Sequence, residues 1–137
     1  MSVGPQERSY VMFDISSLPP GATVTAAQLT VCRTNGAGPS RTHELRMVTS
    51  AWTETGLTWN TQPALSASAT YTIAVPPSIQ CITADVSLDV EAWVLGAANF
   101  GWRIVDTDEA TAPLVEYATR EDPVAGQRPT LSVTYTP

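Results

Sequence analysis

Lysine is absent from this sequence: all seven basic residues are arginines. A phosphate-binding loop of the Gly-x-x-x-x-Gly-Lys-Ser/Thr kind is therefore excluded. Histidine occurs once, as His43, and no serine sits in a Gly-x-Ser-x-Gly elbow, so no nucleophile has a base near it in the sequence. His43 reads as a surface or capping residue at the start of a strand, and the chain as non-enzymatic. Charged residues make up only 15% of the chain against 43% apolar, the opposite of a disordered segment. No apolar run reaches the ~18 residues of a membrane-spanning helix. The opening stretch Met1 to Tyr10 lacks the apolar core of ~7–15 residues that a secretory leader carries. Three origins remain open: a cytoplasmic chain, one released other than by the general export route, or a piece of a longer secreted protein.

Cysteine is scarce as well. Cys32 and Cys81 have no CxxC partner, which argues against a zinc site or a redox motif. They fall in two different predicted strands and would form a disulfide if those strands were neighbours. The reading taken is two small buried thiols.

What the sequence has is acid and alternation. Thirteen acidic residues give a net charge of -6, which disfavours contact with a phosphate backbone, so neither nucleic acid nor a membrane is expected as a partner. The apolar period is mostly two. Segment 8–15 starts as an alternation and becomes apolar on both faces, with Tyr10 and Met12 pointing one way and Val11 and Phe13 the other. Such a strand needs cover on both sides. Ala27, Leu29 and Val31 alternate after a turn at Leu18, Pro19, Pro20 and Gly21. Leu45 and Met47 share a face in a strand near 42–49, after a loop at 34–40. Further strands are predicted near 57–60, 69–75, 79–86, 100–105, 114–119 and 130–136. Short strands at this spacing predict an all-β fold, an antiparallel sandwich or barrel in one domain.

One segment switches to helical spacing. Val86, Val90, Trp93 and Val94 predict a short helix near 87–95, capped by Ser87 and ended by Gly96. Asp89 and Glu91 lie in its first turn, where a helix N-terminus favours acids, which explains them without a catalytic role. Trp93 would anchor the helix over one end of the sandwich.

A set of spaced residues runs through most of the chain. Arg8, Phe13 and Asp14 come first, then Trp52, Thr53 and Glu54. Leu57, Thr58, Trp59, Asn60, Gln62 and Pro63 follow, then Asp85, Val90, Trp93, Gly96 and Trp102. Arg128, Pro129, Leu131, Val133 and Tyr135 close the series. Over residues 8–136 this order resembles the DNRLRE domain family. The resemblance implies a jelly-roll-like β-sandwich related to modules that bind acidic polysaccharides such as alginate. It also implies packing roles in the core for Trp52, Glu54, Thr58, Trp59, Asn60, Pro63, Trp93 and Trp102. The name-giving run of residues is absent, and so is the opening strand that family members carry before the Arg8 segment. A sandwich short of that strand would expose an edge. Tyr10 and Met12 are therefore candidates for contact with another chain or a neighbouring domain covering residues 8–15.

Two polar clusters are candidate sites. Arg33, Arg41 and Arg46 flank one loop and its following strand and could grip the carboxylates of an acidic glycan. Asp106, Asp108 and Glu109 form the densest carboxylate run and could converge on a hard cation such as Ca²⁺; no other cofactor is expected. The leading functional expectation is a structural or adhesive module of a virion or extracellular surface assembly, such as a phage decoration, tail or fibre protein. The alternative is a carbohydrate-binding module for an acidic polysaccharide, excised from a secreted enzyme.

Overall fold

The computed structural model describes residues 1–4, 7–36, 39–110 and 113–137. Two residues of the predicted 34–40 loop, 37 and 38, lie outside that set. Among the described residues, nine strands and one α-helix are laid down as β1 (Ser2–Val3), β2 (Ser9–Val11), β3 (Thr23–Cys32), β4 (Arg41–Met47), β5 (Tyr71–Val75), β6 (Cys81–Asp85), α1 (Ser87–Val94), β7 (Trp102–Asp106), β8 (Val115–Glu116) and β9 (Thr130–Thr136). One sheet has the order β2-β7-β4-β5 and the other β6-β3-β9, while β1 pairs with β8. Every pairing is antiparallel. The all-β sandwich with a single short helix is the fold that the alternation predicts.

The core lies where the alternating positions meet. Ala27, Leu29, Val31 and Ala84 come from the three-stranded sheet; Val11, Leu45, Ile73, Val75, Trp102 and Ile104 come from the four-stranded one. In β3 the register shifts between Val24 and Ala26. That bulge switches the parity, so Val24 can face inward together with the odd-numbered residues that follow. Leu131 and Val133 are only partly buried, because β9 ends its sheet and has a neighbour on one side.

Helix α1 forms where its period predicts and packs against β3. Trp93 packs on Trp102 with ring centroids 4.7 Å apart, and Asp89 accepts a hydrogen bond from the Trp102 indole N–H at 2.8 Å. Ser87 is not the cap: it is the first helical residue, after Val86. Its hydroxyl instead accepts the Ala27 amide and donates to Asp85, tying the helix start to β3. Gly96 ends the helix with a φ of 119°, which a side chain would oppose.

Three expectations need correction. The predicted strand near 57–60 is a 3-10 turn, Trp59–Thr61, within a long surface loop. Cys32 and Cys81 are disulfide-bonded rather than free. They are register partners on the adjacent strands β3 and β6, a juxtaposition that no sequence spacing reveals. His43 is not on the surface but fully buried.

The β2 edge differs from expectation in part. Val11 keeps only 8% of its surface within this one chain, and Phe13 sets its ring edge-on to Trp102. The chain itself therefore covers the Val11 face of this strand. Met12 stays open, at 49% exposure. Gly101 lets this edge strand close down on β7: a Cβ there would lie 2.1 Å from the Val11 carbonyl oxygen, and φ is 73°.

Candidate functional site

The Trp52–Pro63 block was expected to sit in the core. The structure places most of it outside. Glu54, Thr58 and Asn60 are exposed, and Trp59 keeps 49% of its surface open. Trp52 and Pro63 are half-buried; of the eight residues, only Trp93 and Trp102 are fully interior.

The block builds a stiff loop over the β2 edge. Its base is pinned by a bridge between Val48 and Leu65 and by the Thr49 amide donating to Ala64 O at 2.8 Å. The Trp52 indole N–H donates to Phe100 O at 2.7 Å. At the tip, the Thr61 hydroxyl accepts the Thr58 amide at 2.9 Å and donates to Gly56 O at 2.9 Å. Gln62 Nε2 donates to Trp59 O at 2.9 Å. These bonds fix Trp59 without burying it.

Arg8, just before β2, meets this tip. Its guanidinium carbon lies 4.5 Å from the Trp59 ring centroid, a cation–π contact. Arg8 Nε and Nη2 donate to the two Glu109 carboxylate oxygens at 3.0 and 2.7 Å, and Nη1 donates to Gln62 Oε1 at 2.7 Å. The bond to Glu109 raises the already high pKa of the guanidinium. Gln62 Oε1 also accepts the Tyr10 hydroxyl at 3.1 Å. Tyr10 in turn packs against Trp52 with centroids 5.5 Å apart, and burial raises its phenol pKa.

Two adjoining hollows share Arg8, Tyr10 and Leu57 in their walls. A smaller one of about 300 Å³ is lined further by Thr58, Trp59 and Gln62. A wider one of about 910 Å³ runs along β2 past Met12 and Trp52 to Arg120. They adjoin along β2 as one trough, with Tyr10, Phe13, Trp52 and Trp59 among its wall residues.

The sequence-predicted arginines do not converge. Arg33 is 1% exposed and donates to the carbonyls of Asn35 and Pro76, so it is an interior strut, not a ligand group. Arg41 forms a bidentate pair with Asp106, at 2.9 Å for both bonds. Arg46 binds Glu44 at 2.8 Å. Strand geometry explains the scatter: Arg33 ends one sheet, and the other two lie at opposite ends of β4.

The carboxylate run is divided as well. Asp106 is buried and committed to Arg41, while Glu109 clamps Arg8. Among the described residues, no group of three or more His, Cys, Asp or Glu could hold a metal ion. Tyr10 and Met12, named as contact candidates, lie along the wider hollow, Tyr10 half-buried and Met12 open.

The trough's key residues, Arg8, Trp59 and Gln62, all belong to the spaced motif. Nothing in their spacing indicated that they would meet, since Arg8 and Gln62 are 54 positions apart. No curated protein matches the chain. Matched over residues 1–135 by the model of Carbohydrate-binding module family 96, the chain belongs to that family.

Proposed function

We propose that this protein is a non-catalytic module that holds a polysaccharide chain in the trough beside β2. The observation that carries the reading is Trp59: a half-exposed indole, fixed by its loop, with Arg8 on one face. The remaining open face offers a sugar ring a flat apolar platform, and the C–H groups of a pyranose suit such a surface. Arg8 commits three of its five N–H groups within the chain, which leaves two to donate to sugar hydroxyls.

Family membership favours this reading over a role in a virion or fibre, to which it lends nothing. The Cys32–Cys81 disulfide supports an oxidising, extracellular setting. In that setting the module would keep a larger protein on its polysaccharide.

Replacement of Trp59 by alanine is the direct test. Binding to the cognate polysaccharide, measured by calorimetry or affinity electrophoresis, should weaken roughly tenfold or more, the effect of ~1.4 kcal/mol. The melting temperature should hold, because the indole is not part of the core cluster. Unchanged affinity in this variant would move the site elsewhere.

A further inference from the structure

We infer that β9 is a docking edge for a second copy of this chain, the two β9 strands pairing antiparallel about Val133. The inference goes beyond the carbohydrate-binding reading and does not depend on it.

Strands β2, β5, β6 and β9 end the two sheets. β5 and β6 lie against each other, and β2 is only three residues long. β9 has seven residues and pairs with β3 alone. Among the described residues, no backbone hydrogen bond joins it to any other element. The direction of its free groups follows from β3. Ala27, the register partner of Val133, accepts the Val86 amide on its C=O and donates its N–H to Ser87 Oγ, both on the side of β3 away from β9. Ala27 and Val133 are therefore a non-hydrogen-bonded pair, and Val133 turns its own N–H and C=O to the open edge. Leu131 and Tyr135, two residues to either side, do the same.

This edge is unguarded. Its strand has no charge, no proline and no bulge, since the extra residue, Thr25, belongs to β3. It is also self-complementary. Turned end for end about Val133, it sets Leu131 of one protomer against Tyr135 of the other, Val133 against Val133, and Ser132 against Thr134. Leu131 and Val133 are only half-buried and Tyr135 is 38% exposed, all three on the inner face. The pairing would extend that apolar row across the axis and cover it. No like charges meet there, although the chain carries a net charge of -6. A two-fold axis is the operator by which one such patch meets its own copy.

Sedimentation equilibrium over a wide range of concentration reads the pairing. Wild-type protein is expected to approach the mass of two chains at the upper end. The double variant Ser132→Lys, Thr134→Lys alters only exposed side chains, so its melting temperature should hold. It sets lysine against lysine across the axis, and the dissociation constant should rise roughly tenfold or more. Ser132→Glu, Thr134→Glu should do likewise, and an equimolar mixture of the two variants should recover the mass of two chains. Wild-type protein that stays a single chain throughout would overturn the inference. So would a lysine variant that self-associates as well as wild type, or a mixture that stays dissociated.

Discussion

Opening the Cys32–Cys81 bridge is expected to cost the fold about 4 kcal/mol, the chain-entropy value for a closed loop of this size. The bonded residues are 49 positions apart, and the loop between them contains β4, β5 and the whole Trp52–Pro63 block. The unfolded chain therefore gains much freedom when the bridge opens. The folded chain loses little, because Cys32 and Cys81 stay paired through the β3–β6 ladder. For a chain of this length the loss corresponds to a melting temperature lower by roughly 10–15 °C. A Cys32→Ala, Cys81→Ser double variant should show it, as should wild-type protein melted in reductant. Alkylation under denaturing conditions supplies an independent check: no adduct before reduction and two afterwards. Two adducts without reduction, or a melting point indifferent to reductant, would refute the assignment.

Alternation carried most of the fold because burial imposes it. Leu45, Ile73, Trp102 and Ile104 are interior for the reason that made them legible: each strand presents one face to the core. The same rule places two polar residues inside. His43 lies two residues before Leu45, and Asp106 two after Ile104, so both had to point inward with them. Polarity suggested surface, but the pleat decided otherwise. The site was less legible, since loops have no period. The Trp52–Pro63 block reads the same whether Trp59 faces in or out, and only the loop's hydrogen bonds settle it. Pairs such as Arg8 with Glu109, 101 positions apart, depend on topology that short-range patterns do not encode.

His43 should make the fold acid-sensitive well above the range where carboxylates titrate. Its imidazole is fully buried. The Tyr117 hydroxyl lies 2.7 Å from Nδ1, and Asp106 Oδ2 lies 3.4 Å from Nε2. Desolvation dominates and lowers the histidine pKa from 6.5 to about 4; Asp106 opposes the shift, and Arg41 and Arg33 add to it. Between those two values the unfolded chain binds a proton that the folded chain refuses. Stability is then fully present above pH ~6.5 and declines as pH falls towards the folded pKa, by about 3 kcal/mol in all. The Asp106 carboxyl is held below its ordinary value: burial would raise it, but the bonds from Arg41 and the Asp108 amide outweigh burial. Its own loss therefore comes later, at lower pH. A melting-temperature profile should fall by roughly 10 °C across the histidine window. In His43→Gln that slope should flatten while the steeper drop at lower pH persists. His43 is the chain's one histidine, so its imidazole resonance can be followed without assignment. A titration midpoint near 6.5 in the folded protein, or a slope that survives the substitution, would contradict the argument.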